Sequence, residues 1–315
     1  MTLRRLASRI AGLALITAIL VVCAMSREMP MARAETLPEG AFIDLAGGRI
    51  HAIIRGQGPD LVMIHGANGN ARDFSFSLIG HMANEFRVIA FDRPGFGFSD
   101  DFGGVESPIH QADILRAAAR ALDVETPIVL GHSYGGTVAL AWALRAADDV
   151  AGLTLLAPVT HPWPGDLGLW YRLTASPLGR YLILPTIAAL APRRAVENAL
   201  AGVFSPDPVP EGYLDHLGFR QTMRRDQLAL NAQQVNSLIG YVEAMYPGYP
   251  ALTMPIEIVH GTADETVGID IHAERMLREV ESVNLTRLDN GGHMPHHAQP
   301  EAVAEAIRRT YQRAQ

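Results

Sequence analysis

The sequence predicts an α/β fold, a mostly parallel sheet of eight strands flanked by helices with a helical lid inserted before its last part. Three observations lead there. From Ala41 onward short apolar runs alternate with longer stretches of helical periodicity, the pattern of a sheet covered on both faces. With 315 residues, 48% of them hydrophobic, the chain is long enough to bury a full core in one large domain. Between Pro158 and about Ala251 the alternation stops, over a length too great for a structureless loop.

The elements follow in order. Phe42 to Leu45 and Ile50 to Ile54, joined through Gly47-Gly48, read as an opening β-hairpin. Leu61 to Ile64 is a buried strand, followed by a helix over Phe74 to Met82 and a strand over Arg87 to Phe91. Ser107-Pro108 makes an N-cap and first-turn pair for a helix to Leu122, with Ile114, Leu115, Ala118 and Leu122 on one face. A strand at Ile128 to Leu130, a helix from Gly135 to Ala147 and a strand at Leu153 to Leu156 come next. Strands Ile256 to Val259 and Asn284 to Leu288, a helix between them and a last helix from Pro300 complete the series.

The interruption reads as a lid over the carboxyl ends of the strands, where open α/β sheets bind ligands. Prolines bracket it, Leu228 to Met245 reads as helix, and Trp163, Trp170, Tyr171, Phe204 and Tyr213 give it apolar bulk, more as its own core than as a binding box. The expected division is 1–34 as signal peptide or membrane anchor, 35–157 and 252–315 as the two parts of the core, and 158–251 as the lid. The first segment has Arg4, Arg5 and Arg9 before an uncharged stretch from Ile10 to Met25. That is the layout of an export signal or an anchor, with a small-x-small site at Ala32-Arg33-Ala34. The catalytic domain is therefore expected outside the cytoplasm, as a periplasmic, secreted or membrane-anchored protein.

Composition removes several function classes. The formal charge is −7 and no basic run lies outside the first few positions, so nucleic acid is not an expected partner. All 26 basic side chains are Arg, which excludes a Schiff-base lysine and a Walker-type phosphate loop. The single Cys23 allows no internal disulfide and lies in the apolar N-terminal stretch. No cofactor is expected.

The chemistry gathers at strand ends. Gly131-His132-Ser133-Tyr134-Gly135 follows a strand and opens a helix, the context a nucleophile elbow requires. Small residues flank Ser133 because the turn is strained and its neighbours crowd it. A serine hydroxyl is a weak nucleophile at neutral pH, so a base is needed. His293, in the Gly-rich run Asp289-Asn290-Gly291-Gly292-His293-Met294-Pro295 after the last strand, is the candidate. An acid that orients it belongs at the end of the preceding strand, where Asp264 stands, with Glu265 as its local rival. The N–H groups of Ala67, in His65-Gly66-Ala67-Asn68, and of Tyr134 would form the oxyanion hole.

With Asp92-Arg93-Pro94-Gly95-Phe96-Gly97-Phe98-Ser99, these segments resemble the α/β-hydrolase superfamily, in particular its lid-bearing branch of esterases, carbon–carbon bond hydrolases, haloperoxidase-like enzymes and epoxide hydrolases. The resemblance covers roughly Phe42 to Arg313 apart from the insert. It implies the order Ser, Asp, His, an oxyanion N–H at Ala67 and a structural turn at Asp92 to Ser99. Epoxide hydrolases and haloalkane dehalogenases of this fold carry Asp at the nucleophile position, whereas this chain has Ser133.

Each candidate also has a plainer reading. His65 and His132 could touch substrate, but structural support at the mouth of the site is the better expectation. His161 could do so from the lid boundary, or be a solvated loop side chain. Asp92 could serve as the acid, although Arg93-Pro94 points to a turn. His293, His296 and His297 could bind metal, but no carboxylate cluster accompanies them in sequence, so no metal site is expected. Two function classes remain, a serine hydrolase and a non-catalytic binder of the same fold. For the hydrolase a small hydrophobic ester or lactone is expected first, and a vinylogous diketone cleaved at a carbon–carbon bond second.

Overall fold

The computed structural model describes residues 38–165 and 168–315. The Arg-flanked apolar stretch, with the signal or anchor reading attached to it, lies outside the described residues. Among those described, no helix is long and apolar enough to cross a membrane.

Eight strands form one sheet in the order β1-β2-β4-β3-β5-β6-β7-β8. They are β1 (Ala41–Leu45), β2 (Gly48–Arg55), β3 (Asp60–Ile64), β4 (Arg87–Phe91), β5 (Ile128–His132), β6 (Gly152–Leu156), β7 (Ile256–Gly261) and β8 (Val283–Leu288). Leu45 pairs with Gly48 across the tip Ala46-Gly47, where Gly47 takes a φ of +104° that suits a residue without Cβ. β2 also runs antiparallel to β4, and every later pairing is parallel.

Side chains alternate between the faces, and each face has its own cluster. Val62, Ile64, Ile89, Phe91 and Val129 pack with Leu115 and Ala118 of helix Pro108–Arg120 and Val138 of helix Tyr134–Arg145. Leu61, Met63, Val88, Ala90 and Leu130 pack with Leu78 and Met82 of helix Leu78–Met82 and Val303 and Ile307 of helix Pro300–Arg313. Each such aliphatic side chain contributes roughly 1.5–3 kcal/mol by leaving water. Two covered faces explain why these strands are apolar throughout.

The insert lies between β6 and β7 and is helical. Its longest helix, Arg225–Met245, buries Val235, Leu238, Val242 and Met245, a spacing that keeps one face on the core. One expectation is revised. The helix read over Phe74 to Met82 is two short helices, Arg72–Ser75 and Leu78–Met82, with Ser77 at φ −146° between them. The break turns Phe76 towards Tyr213, His216 and His297, with ring centroids 5.3–5.7 Å away.

Candidate active site

The turn from β5 into helix Tyr134–Arg145 holds Ser133 at φ 53° and ψ −118°, a strained region for a residue with a side chain. Three glycines make the turn possible. A Cβ at Gly131 would lie 2.3 Å from the Gly135 carbonyl oxygen, one at Gly135 would lie 2.2 Å from that of Ile64, and one at Gly136 would meet Pro158 at 2.7 Å. The turn is also tied to the sheet, because Ser133 N–H donates to the Leu156 carbonyl at 2.9 Å. Tyr134 is the first residue of the helix, so its N–H has no acceptor within the helix and sits at the positive end of the dipole.

His293 and Asp264 meet across the loops after β8 and β7. Nδ1–H of His293 donates to Asp264 Oδ2 at 2.7 Å, and both side chains are buried. This bond leaves Nε2 as the unprotonated nitrogen of the neutral ring. Asp264 Oδ1 accepts from the Thr266 and Val267 N–H groups at 2.8 and 2.9 Å. His260 Nε2–H, whose main acceptor is the Val267 carbonyl at 2.8 Å, also reaches Asp264 Oδ2 at 3.2 Å. Burial pushes the Asp264 carboxyl up, but the donors His260, His293 and Val267 outweigh it and hold it well below the usual carboxylate range. Of the two sequence rivals, Glu265 is exposed and Asp264 is buried against His293.

The loop after β3 faces the serine. A Cβ at Gly66 would lie 3.3 Å from Ser133 Cβ and 2.9 Å from His132 Nδ1, so the loop carrying Ala67 comes within van der Waals reach of the elbow. Arg93 fixes this loop. Its Nη2 donates to the Gly66 carbonyl at 2.9 Å, and Nη1 donates to Gln111 and Gln234 at 2.9 and 2.7 Å. The guanidinium lies 4.5 Å from the ring centres of both Phe96 and Tyr134. Burial pulls its pKa down to about 10, so it remains a cation at neutral pH. Arg93→Met should cost about 3 kcal/mol, because the buried side-chain oxygens of Gln111 and Gln234 lose their donor and the Gly66 carbonyl keeps only that of His65. A urea midpoint equal to that of the wild type would refute this.

The other candidate histidines are engaged inside the fold. His65 Nδ1–H donates to the Gly66 carbonyl at 2.9 Å and its Nε2 accepts from Arg93 N–H at 3.0 Å, so neither nitrogen is left for a substrate. His161 is fully buried, which corrects the reading of a solvated loop side chain. Its nitrogens meet Thr160 Oγ1 at 2.8 Å and Glu279 Oε2 at 3.0 Å, which also removes them from substrate binding. His132 Nε2–H donates to the His293 carbonyl at 3.0 Å, a contact that braces the loop of the candidate base. Asp92 accepts from His51 and from the Ala71 and Phe98 N–H groups at 2.7–2.8 Å, a staple for the turn.

Sequence reasoning missed a buried hub beside this site. Asp73 accepts from His296 Nε2–H at 3.1 Å, His297 Nε2–H at 2.8 Å and the Tyr213 hydroxyl at 2.7 Å. Burial pushes the Asp73 carboxyl up, but His296 and His297 outweigh it and hold it well below its ordinary range. Asp73, His296 and His297 offer ligand atoms all within 4.8 Å of one another, the carboxylate the sequence did not reveal. A metal ion would move each ring proton to Nδ1, and neither Nδ1 has an acceptor. The donor set therefore fits a hydrogen-bonded carboxylate better than a metal centre. The only advance signal was the adjacent pair His296-His297.

The comparisons agree with this architecture. Residues 61–306 match the family described as Alpha/beta hydrolase family. Haloalkane dehalogenase 2 of Mycobacterium tuberculosis is 25% identical over 290 residues, covering 85% of this chain and 93% of that protein. The pimeloyl-[acyl-carrier protein] methyl ester esterase of Vibrio vulnificus is 26% identical over 280 residues, covering 82% and 96%. A crystal structure of an alpha/beta hydrolase fold protein from Burkholderia ambifaria superposes with a TM-score of 0.72 at 20% identity, covering 87% of this chain and 98% of that one. Fold and family match together define an enzyme of the hydrolase-fold class. The chain belongs to the alpha/beta hydrolase family.

Proposed function

We propose that the protein is a serine hydrolase acting on a small hydrophobic ester or lactone with a medium apolar acyl part. One observation carries the reading: a serine held at positive φ on a strand-to-helix turn, in a fold that also buries a His293–Asp264 pair at 2.7 Å. In the proposed cycle Ser133 Oγ attacks the carbonyl carbon while His293 Nε2 takes the hydroxyl proton. Asp264 holds the ring in that tautomer and stabilises the imidazolium. The N–H groups of Ala67 and Tyr134 receive the oxyanion. When the tetrahedral adduct collapses, His293 gives its proton to the leaving alkoxide, which departs as the alcohol. Water then attacks the acyl-enzyme through the same groups, releasing the acid and restoring Ser133.

Substrate class rests on the insert. A carbon–carbon bond hydrolase would need a cation for the substrate carboxylate, and the sequence offered Arg172, Arg180, Arg193 and Arg194. Arg193 is committed to Glu197 at 2.8 Å and Asp215 at 2.6 Å, and all four side chains are exposed. Both facts favour the ester. The haloalkane dehalogenase relative does not carry its chemistry over, because Ser133 occupies the position where that resemblance calls for Asp.

The test is relative kcat/KM for p-nitrophenyl esters of increasing acyl length against a ring-fission diketone. An optimum at intermediate length, unaffected by mutation of the four arginines, is expected. Preference for the diketone, lost in one Arg variant, would overturn the ester reading. Failure of a fluorophosphonate to label Ser133 would favour a non-catalytic binder.

A further inference from the structure

We propose that the insert supplies a positioning residue for the base: the Asp207 carboxylate, by holding the Gly292 peptide, sets the position of His293, so that the seated insert is part of the catalytic geometry. The inference rests on the reading of His293 as the base.

The loop carrying His293 is rich in residues with a wide choice of backbone conformation. Asn290 sits at φ 54°, and Gly291 and Gly292 follow, so the chain just before the imidazole has unusual backbone freedom. The core holds part of it, through Asn290 N–H to Thr262 Oγ1 at 2.8 Å, Gly291 N–H to the Leu288 carbonyl at 3.0 Å, Ala263 N–H to the Gly291 carbonyl at 2.9 Å and His132 to the His293 carbonyl, and the insert adds contacts on both sides of His293. Before His293, the Gly292 N–H donates to Asp207 Oδ2 at 2.7 Å, a charge-assisted bond from a half-buried carboxylate. The approach is close, since a Cβ at Gly292 would lie 2.5 and 2.6 Å from the carbonyl oxygens of Ser205 and Phe204. After His293, Met294 is buried in a cluster with Phe204, Tyr213 and Leu217, all from the insert. A turn later His296 and His297 bind Asp73, which accepts in turn from Tyr213.

The same part of the insert also grips the loop after β3. Asn70 Nδ2 donates to the Leu217 carbonyl at 3.0 Å, and Asn68 Nδ2 reaches that of Thr222 at 3.5 Å. One seated body therefore touches both the peptide beside the base and the loop carrying Ala67. Asp207 is the charged side chain in this set that bonds directly to the peptide next to His293. Misplacement of a catalytic group by about 1 Å lowers turnover by roughly 10²-fold. Loss of the Asp207 bond should thus appear in kcat while substrate binding persists.

The experiment compares Asp207→Ala and Asp207→Asn in the full chain. It reads kcat and KM on a p-nitrophenyl ester, the low-field proton resonance of His293 Nδ1–H and the thermal midpoint. Asp207→Ala should lower kcat by about tenfold to a hundredfold with KM within about twofold, and should broaden or shift the low-field proton. Asp207→Asn keeps an oxygen that can accept from Gly292 N–H and should recover most of kcat. Should Asp207→Ala fail to fold, Asp207→Ser, whose hydroxyl is too short to span the contact, replaces it. Unchanged kcat in Asp207→Ala, equal losses in the Ala and Asn variants, or a change in KM alone would overturn the proposal. Activity surviving in Ser133→Ala would instead remove the hydrolase reading, whereas an inactive Ser133→Ala beside a fully active Asp207→Ala would remove only the positioning role.

Discussion

Ser133→Ala and His293→Ala are each expected to lower ester turnover by several orders of magnitude, and the double variant should be hardly slower than either single one. The reason is cooperative. Without His293 the Ser133 hydroxyl keeps its proton and attacks poorly, and without Ser133 the imidazole has no proton to accept, so either loss removes the same step. Asp264→Asn should cost on the order of 10³-fold or more, because its amide can present N–H to Nδ1 and favour the wrong tautomer. Its oxygen could still accept from Thr266 and Val267, so the local turn should survive. Glu265→Gln should leave turnover within about twofold, since Glu265 is exposed while Asp264 is the carboxylate that binds His293. Steady-state kinetics on purified variants, with thermal midpoints as a folding control, decide the matter. Near-wild-type turnover in Ser133→Ala or His293→Ala would sink the assignment, and a larger loss in Glu265→Gln than in Asp264→Asn would move the acid.

What could be read in advance was local. The opening hairpin, the strands of the sheet and the elbow around Ser133 each announce themselves within a few consecutive residues. Apolar runs of strand length, a glycine at the hairpin tip and G-x-S-x-G in the right context are all short-range signals. The expected helix over Phe74 to Met82 failed because Phe76 belongs to the aromatic packing of the insert, a tertiary demand that overrides helical periodicity. The same limit hid the supports of the site. Asp73 lies 223 positions from His296, Asp207 lies 85 from Gly292, and His161 meets Glu279 across 118. Nothing near Asp73 or Asp207 in the chain marks either as a partner of the His293 loop. A resemblance to a family carries over the reacting groups more readily than the side chains that hold them, because the insert has no motif of its own.

Acid should destabilise the fold from about pH 6.5 downward, well before its carboxylates titrate. His65 and His272 are buried as neutral rings, each with one nitrogen already used as an acceptor. His65 Nε2 takes the Arg93 N–H, and His272 Nδ1 takes those of Thr160 and His161 at 3.1 and 3.2 Å. Burial lowers both to about 3, with the Arg93 charge adding to it at His65 and the neighbouring histidines at His272. His132 is lowered as well, by burial and then by His296 and His293. In the unfolded chain all three would titrate near pH 6.5. Between the folded and unfolded values the unfolded state therefore binds more protons, so stability is full above about 6.5 and falls as pH drops. At pH 5 the loss is about 2 kcal/mol for each of His65 and His272, a large share of the 5–15 kcal/mol typical of a domain. Asp73, Asp92 and Asp264 have folded values below their unfolded ones. Their contribution is present above about pH 4 and is lost only as pH falls further, so it adds a later stage. Urea midpoints measured at pH 7.5, 6 and 5 should drop progressively, and His272→Gln, which keeps a polar side chain but cannot titrate, should flatten the fall. Midpoints unchanged between pH 7.5 and 5 would show that these rings are not held neutral.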